Sequence, residues 1–334
     1  MSDGFAGDEA LVGAARFDVR GACRWVIERA DCVQIDAGAI ERWAKQVSLD
    51  EIRPAPRPAA LRFLGRPADV ARWILLIDCL NFYFWSQAGP LWTVEYEGRR
   101  WQRYFALVAA LRRAVACHPG WLTAERWASA TATDCEAVFA GDSHIPLLEE
   151  RMRILNETGR VLLNRFDGEA IHLAEQARFD AVRVAGAVSE AFPSFRDVHG
   201  YKGRQIPILK RAQIFASDLA AGFEENQTTP ITNLAGLTAF ADYRLPQTLR
   251  HLGVMVLAGE FEARIESEQL IESGSPEEIE LRAGTVRAVD LMVEALRRMR
   301  RADLPCWLVD EYLWDHSHDD DVIVRHHRTV THDY

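Results

Sequence analysis

Apolar residues recur at steps of three and four along most of this chain, the period of a helix with one buried face. The clearest stripe is Ile279, Ala283, Val286, Val289, Val293 and Leu296. Ahead of it, Ser275-Pro276-Glu277-Glu278 offers a capping hydroxyl, a proline suited to the first helical position and a glutamate three residues on. Behind it, Arg297-Arg298-Met299-Arg300-Arg301 sets cations at the negative end of the helix dipole. The same reasoning predicts helices from Pro146 to about Glu157, with Leu148, Met152 and Leu155 as the stripe and Gly159 as the stop, and from Glu169 to about Ala191. A further helix is expected from Arg103 to Cys117, and a short one capped by Thr133-x-x-Glu136 and stopped at Gly141. Alternation is scarce: Trp92 to Tyr96 with Arg100 to Tyr104 reads as a hairpin, and Val322-Ile323-Val324 as another short strand. The pattern therefore predicts a mostly α protein, a single compact helical body with a few short strands over residues 1–334, built as one unit or as two lobes. Arg53-Pro54-Ala55-Pro56-Arg57-Pro58 is expected to be a stiff surface connector.

Composition narrows the function. A chain of 334 residues with 49% hydrophobic and 26% charged positions can bury a sizeable core. Its 39 Lys+Arg against 49 Asp+Glu leave a net charge of −10, which opposes a stable complex with a nucleic-acid backbone. The 6 cysteines show no close pairing and read as reduced thiols of a cytoplasmic protein. The opening MSDGFAGDEALVGAARFDVRG lacks the basic start and apolar run of a targeting segment, and no apolar run reaches the ~18 residues of a membrane span. Neither G-x-G-x-x-G, nor a Walker loop, nor H-E-x-x-H, nor G-x-S-x-G occurs, so the expected chemistry needs no cofactor and no metal. His316, His318, His326, His327 and His332 beside Asp319-Asp320-Asp321 lack regular ligand spacing and are expected in a solvated C-terminal tail.

Three segments carry polar groups where a plain scaffold would not. In Leu76-Ile77-Asp78-Cys79-Leu80-Asn81-Phe82-Tyr83-Phe84-Trp85, Asp78 and Asn81 interrupt an apolar and aromatic run. Buried unpaired they would cost a few kcal/mol each, so they either read the edge of a flat heterocycle stacked between rings or tie helix ends together. From Lys202 to Asp218, Pro207 is expected to open a helix with Ile208, Ala212, Phe215 and Leu219 buried, leaving Lys210 on the flank of the first turn. A cation there opposes the dipole and points to an anionic partner, or is an ordinary surface lysine. In Asn233 to Gln247 one helix is expected to end near Asp242 and the next to begin at Pro246, whose amides would keep the Asp242 carboxylate ionised. Such a group suits stabilising an oxocarbenium-like sugar or orienting a water, and equally an N-cap or a salt bridge to Arg244.

Together with Ile145 to Gly159 and Leu308 to Ser317, these segments resemble the queuosine salvage protein family, the queuosine 5′-phosphate N-glycosylase/hydrolases. The runs IDCLNFYFW, IPLLEERMRILNETG, LKRAQIFASDL, FADYRLPQTLRHLG and LVDEYLWDHS carry the likeness in order from residue 77, while residues 1–70 carry little of it. The family's common Ser or Cys inside the first run is Tyr83 here. The resemblance implies a fold similar to the helix-hairpin-helix DNA glycosylases, and hydrolysis of a free nucleotide, queuosine 5′-monophosphate, to release queuine for salvage into tRNA modification. It also implies that Lys210 and Asp242 are the functional pair. A 7-deazaguanine base further assigns Asp78 and Asn81 to its polar edge and Phe82, Trp85 and Tyr243 to stacking. Glu149, Asp310 and Trp314 are expected in or behind the pocket, and Lys202, Arg204 and Arg244 near a 5′-phosphate. The competing readings are a binding module that sequesters a modified nucleoside and a DNA-type base glycosylase whose lysine forms a Schiff base.

Overall fold

The structure is a computed structural model describing residues 17–54, 57–87, 89–319 and 322–334; the reading of the first sixteen positions and of Asp320 and Asp321 falls outside them. The chain runs α1 (Val19–Ile27), β1 (Val33–Ile35), α2 (Ala37–Gln46), α3 (Pro67–Asp78), β2 (Thr93–Tyr96), β3 (Arg99–Gln102), α4 (Arg103–Cys117), α5 (Ala124–Ala128), α6 (Ala132–Val138), α7 (Leu148–Phe166), α8 (Ile171–Gln176) and α9 (Ala181–Ala191). It continues through β4 (Val198–Tyr201), β5 (Arg204–Pro207), α10 (Lys210–Glu225), α11 (Arg244–His251), β6 (Met255–Leu257), α12 (Gly259–Glu266), α13 (Pro276–Arg300) and α14 (Cys306–His316). The protein is mostly α, and its described strands form three antiparallel pairs, β1 with β6, β2 with β3 and β4 with β5. No described helix is long and apolar enough to cross a membrane.

Side-chain caps start several helices as the sequence suggests. The Ser275 hydroxyl accepts from the Glu278 amide and Pro276 follows it into α13. Elsewhere the local signals mislead. Gly159 does not stop α7: it lies mid-helix where α7 crosses α5, against the backbone of Ala124 and Ala128, so the missing side chain serves a close approach. The stretch expected as one helix over 169–191 breaks into α8 and α9, because Arg178 and Phe179 turn left-handed and Asp180 caps α9 through the Arg183 amide. Thr131 with Asp134, rather than Thr133 with Glu136, makes the capping box of α6. Residues 322–324 form no strand.

Two hydrophobic clusters hold these elements. One gathers α1, α3, α4, α5, α7, α9 and α10; the other gathers α2, β1, β6, α11, α12 and α14. Helix α13 belongs to both, giving Ile279, Ala283 and Val286 to the first and Leu281, Val289, Met292 and Leu296 to the second. A helix buried on all sides must satisfy its polar groups inside. Glu280 accepts from the Asp31 and Cys32 amides and the Tyr201 hydroxyl, Asp290 pairs with Arg20, and Arg282 pairs with Asp197. A cavity of about 200 Å³ lies beside the seam, between the start of α4, the first half of α10, the chain entering α11, and α14.

Candidate active site

The cavity is framed by backbone that side chains hold in place. Residues 237–242 form neither helix nor strand, and no helix reaches Asp242 from before it. Three helices pin this run: Gln213 of α10 accepts from the Thr238 amide at 2.9 Å, Asp310 of α14 accepts from the Phe240 amide at 2.6 Å, and Arg282 of α13 donates to the Ala241 carbonyl at 3.1 Å. The start of α10 is fixed by the same centre. Pro207 closes strand β5 instead of opening a helix, Leu209 turns left-handed, and the Lys210 amide donates to Asp197 Oδ2 at 3.0 Å. Asp197 takes both Arg282 guanidinium nitrogens, at 2.8 and 2.6 Å, so one buried ion pair anchors the segments that carry Lys210 and Asp242. Breaking such a pair on one side typically costs about 3–5 kcal/mol.

Lys210 and Asp242 face the cavity from these two segments, both buried and not in a direct ion pair. Burial pulls the Lys210 ammonium down to about 8, with Asp242 opposing and Arg211 adding to the shift. Burial pushes the Asp242 carboxyl up from its ordinary value, against Lys210 and the amides of Leu245 and Arg244. The expected amide bonds are present, at 2.7 and 3.0 Å, yet desolvation outweighs them. Both fall on Oδ1; Oδ2 takes no hydrogen bond among the described residues and is the oxygen left for the cavity. Lys210 Nζ reaches the Asn81 carbonyl at 3.5 Å.

The other residues singled out from sequence divide clearly. Asn81, Tyr243, Arg244, Asp310 and Trp314 line the cavity with the pair. Asp78 lies behind Asn81, fully buried, its Oδ1 3.4 Å from the Asn81 amide and its Oδ2 without a partner; burial and the nearby Asp218 push its carboxyl well above the usual range. Asp78 therefore supports Asn81 from behind and does not line the cavity. Phe82 packs beneath the Arg151 and Arg211 guanidinium groups, at 4.3 and 5.2 Å, and Trp85 packs on Tyr83 and His326, so neither is a wall of the cavity. Lys202 is tied to the Arg29 carbonyl and Asp31, Arg204 covers Trp25, and neither lines the cavity. Glu149 is exposed on the first turn of α7 and does not line it.

Sequence reasoning missed much of the lining. Arg57 and Pro58, expected on a surface connector, enter the cavity wall, Arg57 paired with Asp218 at 2.7 Å. Arg103, Tyr104 and Phe105 come from the start of α4, Glu311 from α14, and His318 and Tyr334 from the chain end. Tyr334 could not be found by local pattern, since the tail looked solvated; in the fold His327, Thr329, Asp333 and Tyr334 are buried and the Tyr334 carbonyl accepts from the Tyr83 amide at 2.9 Å. Arg151 and Arg211 carried a signal in the matched runs: they donate to the carbonyls of residues 78–83 and shape the loop that presents Asn81.

The histidines of the tail do not converge. His326 packs on Tyr243, His327 bonds the Tyr334 hydroxyl and His332 meets Glu150. Among the described residues Asp197, His199 and Asp333 do come within metal-ligand spacing. Their charges fit a proton instead: although burial opposes it, the bonds to Asp197 and Asp333 raise His199 to about 10, and Arg282 already neutralises Asp197. A protonated imidazole has no lone pair for a metal.

A mostly helical body thus carries a buried Lys–Asp pair in a polar and aromatic cavity, groups able to stabilise a cationic sugar as its bond to a base breaks. The sequence of the queuosine salvage protein family matches residues 63–334, and the chain belongs to that family. A queuosine 5′-phosphate N-glycosylase/hydrolase of Sphaerobacter thermophilus is 39% identical over 300 residues, 90% of this chain and 92% of the relative. Proteins of the same name from Schizosaccharomyces pombe and Mus musculus are 33% and 31% identical, over 83% and 87% of this chain and 84% and 86% of their own.

Proposed function

We propose that this chain hydrolyses the N-glycosidic bond of queuosine 5′-phosphate, releasing queuine for reuse in tRNA modification. The observation that carries the reading is the pair Lys210 and Asp242, buried together in one cavity and locked from behind by Asp197 and Arg282. As the bond from ribose C1′ to the base nitrogen lengthens, positive charge grows on the sugar, and the Asp242 carboxylate stabilises it. Asp242 also orients a water and takes its proton as the oxygen bonds to C1′, while the base departs with the electron pair of the broken bond and is protonated on the former glycosidic nitrogen by solvent, to which Asp242 returns the proton it took. Lys210, cationic at neutral pH, opposes the desolvation that would protonate Asp242. Tyr243, Trp314 and Asn81 are the pocket groups we assign to the base, with Asp310 behind them holding the Phe240 amide. The acidic chain suits a free nucleotide better than a polynucleotide, and its free thiols suit the reducing cytoplasm.

Incubation with queuosine 5′-phosphate, followed by chromatography, tests the reading: queuine and ribose 5-phosphate should appear in equal amounts, and borohydride should trap no covalent adduct because water, not the lysine amine, attacks. A ligand-induced rise in melting temperature without product would make the chain a binding protein, and a trapped adduct would reassign Lys210 as nucleophile.

A further inference from the structure

Two buried carboxylates behind the reacting pair meet at one histidine, which the reaction itself does not use. His199 lies on β4, and its Nε2 stands 3.0 Å from Asp333 Oδ2 and 3.4 Å from Asp197 Oδ1. The two acids come from distant parts of the chain, and both are buried. Asp197 has a second cation in Arg282, whereas His199 is the one ion-pair partner of Asp333 among the described residues. From α13 the same group is faced by Arg282 and by Glu278, whose carboxylate lies 3.5 Å from that guanidinium. With the arginine as sole cation one buried carboxylate would stay uncompensated, at a large desolvation cost. A charged His199 ring supplies the missing cation, in keeping with its rise to about 10.

Each end of this bridge leads to the cavity. On one side Asp197 accepts the Lys210 amide at 3.0 Å and binds Arg282, which donates at 3.1 Å to the carbonyl of Ala241, the residue before Asp242. On the other side Asp333 immediately precedes Tyr334, which lines the cavity. The Arg282 guanidinium lies 4.4 Å over the Tyr334 ring, and the Tyr334 carbonyl accepts from the Tyr83 amide at 2.9 Å. Asp333 is fixed to its own segment by Thr331, whose hydroxyl donates to Oδ2 at 3.0 Å and accepts from the Asp333 amide at 3.1 Å. The His199 ring, part-exposed on a hairpin outside the cavity, thus ties this segment to the anchor of the reacting pair.

We propose that His199 is a positioning residue for the reaction: by joining Asp333 to Asp197 it holds Tyr334 in the cavity wall and keeps Lys210 and Asp242 in register with it. The proposal rests on the hydrolase reading of the cavity. The bridge also sets the charge behind the pair. Loss of the His199 cation makes the surroundings more negative and favours the protonated forms of Asp242 and Lys210, while loss of the Asp333 anion favours their deprotonated forms.

The test measures kcat, KM, the pH profile with queuosine 5′-phosphate and the melting temperature for the wild-type chain, His199→Gln, Asp333→Asn and His332→Gln. In His199→Gln, which keeps a donor without the charge, kcat should fall by about tenfold or more while KM stays within about threefold. Both limbs of its kcat profile should move to higher pH by about half a unit, and those of Asp333→Asn to lower pH by a similar amount. His332→Gln, in the same segment but paired with Glu150, should change neither rate nor limbs. An unchanged kcat or unmoved limbs in His199→Gln, whatever its melting temperature, overturns the proposal, as does the same response in His332→Gln. If His199→Gln does not fold, Asp333→Asn decides: limbs at lower pH uphold the bridge, and limbs unmoved or at higher pH overturn it. Should the wild-type chain release no queuine, the hydrolase reading fails, and the titration of Lys210 in the free protein then decides. The chain has only the lysines Lys45, Lys202 and Lys210, so carbon-13 labels on their side chains are resolved by nuclear magnetic resonance, with Lys210→Arg for assignment. A Lys210 midpoint raised in His199→Gln and lowered in Asp333→Asn upholds the bridge, and an unmoved midpoint overturns it.

Discussion

At Asp242 a single carboxylate does two jobs through two oxygens. Oδ1 accepts the Arg244 and Leu245 amides and fixes the entry to α11, while Oδ2 remains for the cavity. Asp242→Asn keeps an acceptor at the first position and loses the charge at the second. The rate should therefore fall by about a hundredfold to a thousandfold, with ligand affinity changing far less, because the lost interaction belongs to the transition state. Single-turnover kinetics beside calorimetry checks this; more than a tenth of the wild-type rate in Asp242→Asn would remove the residue from the mechanism. The Lys210 ammonium, pulled down to about 8 by burial, should set the alkaline side of the activity profile. Activity should decline as pH rises through 8 and the cation is lost, and on the acid side it should decline at a pH above the ordinary aspartate range, because burial raises Asp242. Lys210→Arg keeps a positive charge that does not titrate there, so any activity it retains should lose the alkaline limb; an unmoved limb in the pH profile would assign it to another group.

Among the elements, α5 against α7 sets two rules in opposition. Replacing a mid-helix glycine by alanine should stabilise an isolated helix by about 1 kcal/mol. At Gly159 the added methyl would fall 2.6 Å from the Ala124 carbonyl oxygen and closer still to the Ala128 nitrogen, backbone atoms that cannot swing aside. Overpacking of this kind costs about 1–3 kcal/mol, so packing should win and Gly159→Ala should destabilise the protein. A lower urea midpoint with an unchanged slope is the expected reading, and a higher midpoint would show that the two helices separate freely.

For the whole molecule, folding the tail into the core makes stability depend on pH from both sides. Burial, as the largest cause, depresses His326 to about 4 and His327 to about 3. An unfolded histidine titrates near ~6.5, so below that pH the unfolded chain binds protons that the folded chain refuses, and stability falls as pH drops from ~6.5 towards 4. His199 acts in the opposite sense: held at about 10, it contributes stability in full below ~6.5 and loses it as pH rises through 10. The melting temperature should fall from pH 7 to pH 5. A flat profile over that range would mean that the tail histidines are accessible to protons in the folded state.

Period and capping chemistry along the chain were enough to predict a mostly α protein, α4, the long α13 and the β2–β3 hairpin, since these rest on interactions within a few residues. The unusual runs around Lys210 and Asp242 were enough to point to the two groups that share the cavity and to the family. What local pattern could not supply was any contact made across the fold. Residues 237–242 look like a helix end, yet they form no helix, their backbone bonded instead to Gln213, Asp310 and Arg282 from three separate helices. Asp78 and Phe82 carry the right chemistry for a pocket, but the path of the chain after α3, set by Arg151 and Arg211, turns them inward and gives the wall to Asn81 and Phe84. Arg103 and Arg244 are the same case: they meet only because α4 and α11 converge on one cavity, which no local pattern shows.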